Sequence, residues 1–265
     1  MPSKLSQLPK TTLYTIADTI GGRFVAEKSI GIATCNKAEI TMFGDSEANL
    51  IYQRFSAPHR KFRIVGNKTL GVALSRVPGK SHEVFHGKHF HEARRKKNRA
   101  LEAGFRVEKK APSKDFLDEI HSINMSAPIR QNRPVEYHLA DRRLVQECCE
   151  RNVQIYGIFD CNDELRAYAH GTLCGEVFVL RRCIGHHADL RQGIMFLLMF
   201  GIFRDMIKIR QQHGVPYWLQ HDSYFVRSPG LRQFKKETGF RPYRVRWRWD
   251  NRRAITALSP SAITV

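Results

Sequence analysis

The stretch GLRQFKKETGF, Gly230 to Phe240, places two adjacent lysines on a short amphipathic segment closed by glycine. Neighbouring positions on a helix point ~100° apart, so Lys235 and Lys236 cannot serve the same surface. One of them can face a site while the other faces water. A lysine cation held in a site can stabilise negative charge that develops during a reaction. The alternative is a solvated basic helix face.

A second candidate pair is His221 and Asp222, at the end of the strand-like run VPYWLQHD. Consecutive strand residues point to opposite faces, so the two do not form a pair by adjacency alone. His221 is a candidate general base, since imidazole titrates near neutral pH; a structural histidine at a strand edge is the other reading. Arg191, Gln192 and Gly193 precede a long apolar run. Free N–H groups and the helix dipole at such a start favour a phosphate, and an ordinary basic first turn would look the same. Arg94, Arg95, Lys96 and Lys97 form a basic run, and Arg130 and Arg133 stand in a loop that could clamp an acceptor or a phosphate. In RPYRVRWRW, Arg244, Arg246 and Arg248 alternate with Tyr243, Val245, Trp247 and Trp249. That suits a half-buried strand with a charged outer face, and also single-stranded nucleic acid. His82, His86, His89 and His91 cluster locally, but no cysteine or carboxylate completes a ligand set, so no metal is expected.

The elements that must position these groups read clearly after residue 110. A helix is expected over Val135 to Asn152, a strand over VQIYGIFD, two strands broken near Gly175, a long helix ending at Gly214, the strand ending at Asp222, a helix with Ser228 as cap, and a last strand over FRPYRVRWRW. A basic helix, GKHFHEARRKKNRALEAG, and a strand, FRVEK, precede a break at Ala111-Pro112-Ser113, and Ser113 can cap the helix KDFLDEIHSIN. Earlier, AEITMFG reads as a strand, Ser46 to Phe55 as a helix capped by Ser46, and Phe62 to Val77 as two strands around Gly66-Asn67-Lys68. The fold class is α+β, a mixed sheet flanked by helices, with a shorter α/β portion over 1–110 and the main domain over 111–265.

With 265 residues and 42% apolar composition, the chain can build a proper core. Its net charge is +19. Arg76 to Lys114 and Arg227 to Arg253 each contribute +8 of it, which points to a polyanionic partner such as nucleic acid or an anionic cofactor. Six cysteines occur without a CxxC pair, and the sequence MPSKLSQLPKTTLY lacks an apolar core of a signal peptide, so reduced thiols and a cytoplasmic location are expected. The longest apolar run, Ile194 to Phe203, is too short to span a bilayer.

The order of elements over roughly residues 80–250, with Phe234-Lys235 before Gly239-Phe240, the basic segment ARRKKNRALEAGFRVE and the helix after GHHADLRQGIM, resembles the GNAT acyltransferase superfamily, and most of all its Fem-type aminoacyltransferase branch. The resemblance implies a GNAT-like fold and an N-acyltransferase that moves an acyl or aminoacyl group from acyl-CoA or aminoacyl-tRNA to an amine. It implies that Lys235 supports the transfer centre and that Arg191-Gln192-Gly193 lies where a donor pyrophosphate sits. This chain departs from the pattern in its reduced phosphate-cradling motif and in an N-terminal part shorter than a full acyltransferase half. A nucleic-acid-modifying enzyme, or an inactive nucleic-acid-binding protein on the same scaffold, is the alternative.

Overall fold

A computed structural model describes residues 31–59, 63, 65–111, 113–130, 133–135, 137–150, 154–226 and 228–251. One eight-stranded mixed sheet runs through the molecule in the order β1-β10-β2-β9-β8-β7-β6-β3. Its strands are β1 (Asn36–Met42), β2 (Val72–Arg76), β3 (Arg106–Lys110), β6 (Gln154–Phe159), β7 (Leu165–Cys174), β8 (Val177–Gly185), β9 (Trp218–Ser223) and β10 (Arg241–Trp249). A separate two-stranded ribbon joins β4 (Ile129–Arg130) and β5 (Arg133–Pro134). The pairs β1–β10 and β8–β9 are parallel; the rest of the main sheet is antiparallel. Strands on both sides of residue 110 therefore share one sheet.

Side-chain alternation assigns the two faces. Ala167, Ala169, Phe178 and Leu180 join the core beneath α2 (His91–Glu102) and α6 (Ile194–His213). The long α6 is buried along most of its length because its residues are apolar almost all round. On the other face Val177 and Val179 pack with Ile51 and Phe55 of α1 (Ser46–Ser56). There too Tyr168 packs with Phe116, Ile120 and Ile123 of α3 (Lys114–Met125). Two short helices, α4 (Tyr137–Ala140) and α5 (Arg142–Glu150), follow the ribbon. The last helix, α7 (Pro229–Glu237), docks on the α6 side, with Phe234 5.2 Å from the Phe196 ring.

Most boundaries follow the expected stop and start residues. Ser113 and Ser228 cap α3 and α7 through their hydroxyls, accepting from Phe116 N and Leu231 N. Two expectations need correcting. The helix at 46–56 is capped by Asp45 rather than Ser46: the Asp45 carboxylate accepts from Ala48 N at 2.9 Å. The single helix expected over 135–152 is interrupted at Asp141, whose carboxylate takes the N–H groups of Arg143 and Leu144 and starts α5 afresh. Of the two strands expected between 62 and 77, the second is β2. The first falls partly on positions outside the described residues.

Candidate active site between β8 and β9

The strands β8 and β9 pair only at their beginnings, Val177 to Val179 against Trp218 to Gln220. Beyond that point each keeps its outer neighbour and loses the other. Both carry a bulge where they part. In β8, Leu180 faces Gly171 and Arg182 faces His170, which leaves Arg181 as the extra residue. In β9, Gln220 faces Leu74 and Ser223 faces Val72, three steps against two. A bulge exchanges the faces of the side chains that follow it. Cys183, not Arg182, therefore packs toward α6.

Into this opening α7 delivers Lys235. Its side chain is 1% exposed, and Nζ donates to the carbonyl oxygen of Ser223 at 2.6 Å. Burial pushes its pKa down from 10.5 to about 8, and the nearby Lys68 cation adds to this, while Asp222 and Cys183 oppose it. Lys236 is exposed. The two lysines thus divide as helix geometry requires.

His221 lies beside Lys235, against the rings of Phe234 and Phe240. Its Nδ1 is enclosed without a hydrogen-bond partner. Burial, with help from Lys235, pushes the imidazole down to about 3. So weak a proton acceptor does not fit the general-base role expected for it; it stays neutral near pH 7. Asp222 turns the other way, as alternation predicts. It has a positive φ of 51°, is exposed, and forms an ion pair with Lys68. Burial works to raise its carboxyl, but Lys68, and more weakly Lys235, hold it below the usual range. The Cys183 thiol is pushed up to about 12 by burial and stays protonated.

Two groups at this centre had no sequence signal. Lys68 is set in place because the indole of Trp247 donates to its carbonyl oxygen at 2.6 Å and its own N–H donates to Phe55 O. Glu47 of α1 pairs with Arg181 and fastens the β8 bulge from below.

The other expected residues lie apart from this centre or serve the scaffold. Gly193 adopts φ 87°, and a Cβ there would sit 2.1 Å from the carbonyl oxygen of Lys96. Its glycine thus has a packing reason: α2 lies across the first turn of α6. Arg191 and Gln192 form the exposed 3-10 turn before it, and Arg99 donates to Arg191 O. Arg94 donates to the carbonyl oxygens of Phe85 and Gly87, Arg95 pairs with Glu92, and Lys96 pairs with Glu237 of α7 at 2.6 Å. Lys97 lies over the Phe200 ring at 4.6 Å. Arg130 and Arg133 face each other across the β4–β5 ribbon. Arg244 and Arg246 are exposed on β10, whose alternate residues Val245 and Trp247 are buried. Arg248 and Arg246 approach Glu39 of β1. Among the described residues no group of three or more His, Cys, Asp or Glu side chains is placed to hold a metal, and no helix is long and apolar enough to cross a membrane.

No protein-family profile matches the sequence, and no curated protein does. Among solved structures the chain is similar to FemX, with 11% identity and a TM-score of 0.48 over 65% of this chain and 59% of that one. It is similar to L-PGS from Bacillus licheniformis, with 15% identity and a TM-score of 0.46 over 64% and 57%. A third is the C-terminal domain of a putative lysylphosphatidylglycerol synthetase from Agrobacterium fabrum, with 14% identity and a TM-score of 0.45 over 64% and 57%. The match spans somewhat over half the length of each of those chains.

Proposed function

We propose that this protein is an N-acyltransferase of the GNAT kind that moves an acyl or aminoacyl group from acyl-CoA or aminoacyl-tRNA to an amine. The observation that carries this reading is Lys235: a buried ammonium held at the opening between two parting strands. A carbonyl seated there would meet a fixed cation in a site of low dielectric, where charge stabilisation is strongest. The acceptor amine attacks that carbonyl, Lys235 stabilises the oxyanion, and the thiolate or ribose hydroxylate leaves as the intermediate collapses. With a pKa of about 8, Lys235 is mostly charged at pH 7 and can also give a proton to the leaving group, recovering one from the attacking nitrogen as the amide forms. Lys68 and Asp222 at the rim tune that charge.

The donor in either form is a polyanion. The cations Lys97 and Arg204 both lie over the Phe200 ring, at 4.6 and 5.8 Å, with no carboxylate partner among the described residues. Two like charges held together in this way suit a nucleic-acid backbone, which favours the tRNA form of the donor.

The test is thermal melting with acetyl-CoA, tRNA and duplex DNA at two salt concentrations. Ligands that bind only the folded state raise the melting temperature. A salt-resistant rise with acetyl-CoA supports the thioester donor. A rise with tRNA above that with duplex DNA supports the aminoacyl donor. Equal, salt-sensitive rises with both nucleic acids and none with acetyl-CoA would favour a nucleic-acid-binding protein instead.

A further inference from the structure

On the sheet face opposite Lys235, two buried polar side chains stand between two apolar clusters. Tyr168 of β7 belongs to the α3 cluster and Cys174 to the α1 cluster, while His170 and Thr172, on the same face between them, belong to neither. Both are buried, at 1% and 2% exposure. Thr172 Oγ1 is enclosed and has no hydrogen-bond partner. The register sets Arg182 directly across from His170, and the bulge at Arg181 is what turns Arg182 to this face. Arg182 is half-buried and has no carboxylate partner among the described residues. Its neighbour Arg181 is neutralised by Glu47. The imidazole of His170, pushed down to about 3 by burial and by Arg182 and Arg181, carries no charge near pH 7. The seam therefore holds one uncompensated positive charge beside a buried hydroxyl.

We propose that Arg182, with Thr172 and His170, forms an oxyanion-binding site that takes a carboxylate or phosphate group of the amine acceptor. A guanidinium presents a planar fork suited to two oxygens of such a group, and the threonine hydroxyl supplies a further donor. Cys183, the next residue along β8, packs on the face that carries Lys235. An acceptor anchored at Arg182 can thus reach the transfer centre past the unpaired edge of β8. The word acceptor rests on the transferase reading; the binding site does not.

The experiment is titration of the full chain with methyl phosphate and, separately, with acetate, at constant ionic strength, followed by calorimetry. Wild type is expected to bind one of the two saturably, and the better titrant names the oxyanion. Arg182→Gln should weaken that binding at least about tenfold. Thr172→Val should weaken it by less, and Lys208→Gln, at an exposed position of α6, should leave it unchanged. Unchanged affinity in Arg182→Gln, or no saturable binding of either titrant, overturns the assignment. Should Arg182→Gln fail to fold by circular dichroism, Arg182→Lys decides: it keeps the charge and loses the fork, and wild-type affinity in it overturns the assignment as well. Loss of binding in Arg182→Gln with no acyl transfer by any variant would sink the transferase reading and leave the site standing.

Discussion

Lys235 Nζ lies 2.6 Å from the carbonyl oxygen of Ser223, so a helix that follows β9 returns its only buried cation to the end of that same strand. The hydrogen bond fixes the ammonium at the mouth of the sheet. It does not supply a counter-charge, and the consequences of that can be measured.

Lys235→Met should abolish acyl transfer and also change the pH dependence of stability. The folded pKa, about 8, is below the ordinary 10.5, so the unfolded chain binds the proton more tightly. Wild-type stability therefore rises as pH increases from about 8 to 10.5, and below 8 the buried charge imposes its full penalty, on the order of 3 kcal/mol. Thermal melts of both proteins from pH 7 to 10.5 should show the variant losing ground to wild type across that window. A difference that stays flat would mean Lys235 is not buried as a charged group.

Asp222 and Lys68 act on Lys235 in opposite directions. Asp222→Asn should move the limb of the pH–rate profile governed by Lys235 to lower pH. Lys68→Gln should move it to higher pH. Parallel shifts in both variants would show that the pair does not tune the lysine.

Gly193→Ala should be strongly destabilising. The left-handed backbone alone costs a side chain on the order of 1–3 kcal/mol, and the added methyl meets the Lys96 carbonyl at 2.1 Å. Hydrogen exchange should localise the damage to α2 and the first turns of α6. An effect confined to donor affinity, with stability intact, would return Gly193 to a phosphate-binding role.

Glu47→Ala leaves Arg181 partly buried without its partner. The expected loss is on the order of 3 kcal/mol in denaturant melts, with faster exchange at the β8 bulge. A neutral result would mean that α1 does not secure the bulge.

Much of this architecture is legible in the sequence because its elements carry strong local signals. The apolar α6 with Gly214 behind it, the β7–β8 pair around Gly175, and α7 between Ser228 and Gly239 all follow from residue type and spacing. That Lys235 and Lys236 diverge is legible too, from helix geometry, but which of them turns inward is indicated only by the resemblance carried by Phe234-Lys235. The centre around Lys235 is less so. Lys68 meets Asp222 across 154 residues and Glu47 meets Arg181 across 134, and no local pattern encodes such pairs. The bulges at Arg181 and in β9 leave no mark in composition, yet the one at Arg181 decides that Cys183 and Arg182 exchange faces. His221 looked titratable because its enclosure by Phe234 and Phe240 is a tertiary fact. The basic run Arg94–Lys97 looked like one surface, whereas Arg94, Arg95 and Lys96 each found a separate partner.

The parallel pairing of β1 with β10 bears on how the chain is made. Asn36 to Met42 find their place in the sheet only beside Tyr243 to Trp249, which emerge roughly two hundred residues later. Strand β10 also separates β1 from β2, so β1 has no sheet neighbour until β10 arrives, whereas β2 can already pair with β9. The edge of the sheet that holds β1 stays open until β10 is made, while the β6–β7–β8 meander can form on the ribosome. Such late, long-range closure is slow, and it exposes unpaired strands to chaperones and to other nascent chains. The opening between β8 and β9 therefore gains its Lys68 side only once β10, whose Trp247 indole holds the Lys68 carbonyl oxygen, is in place.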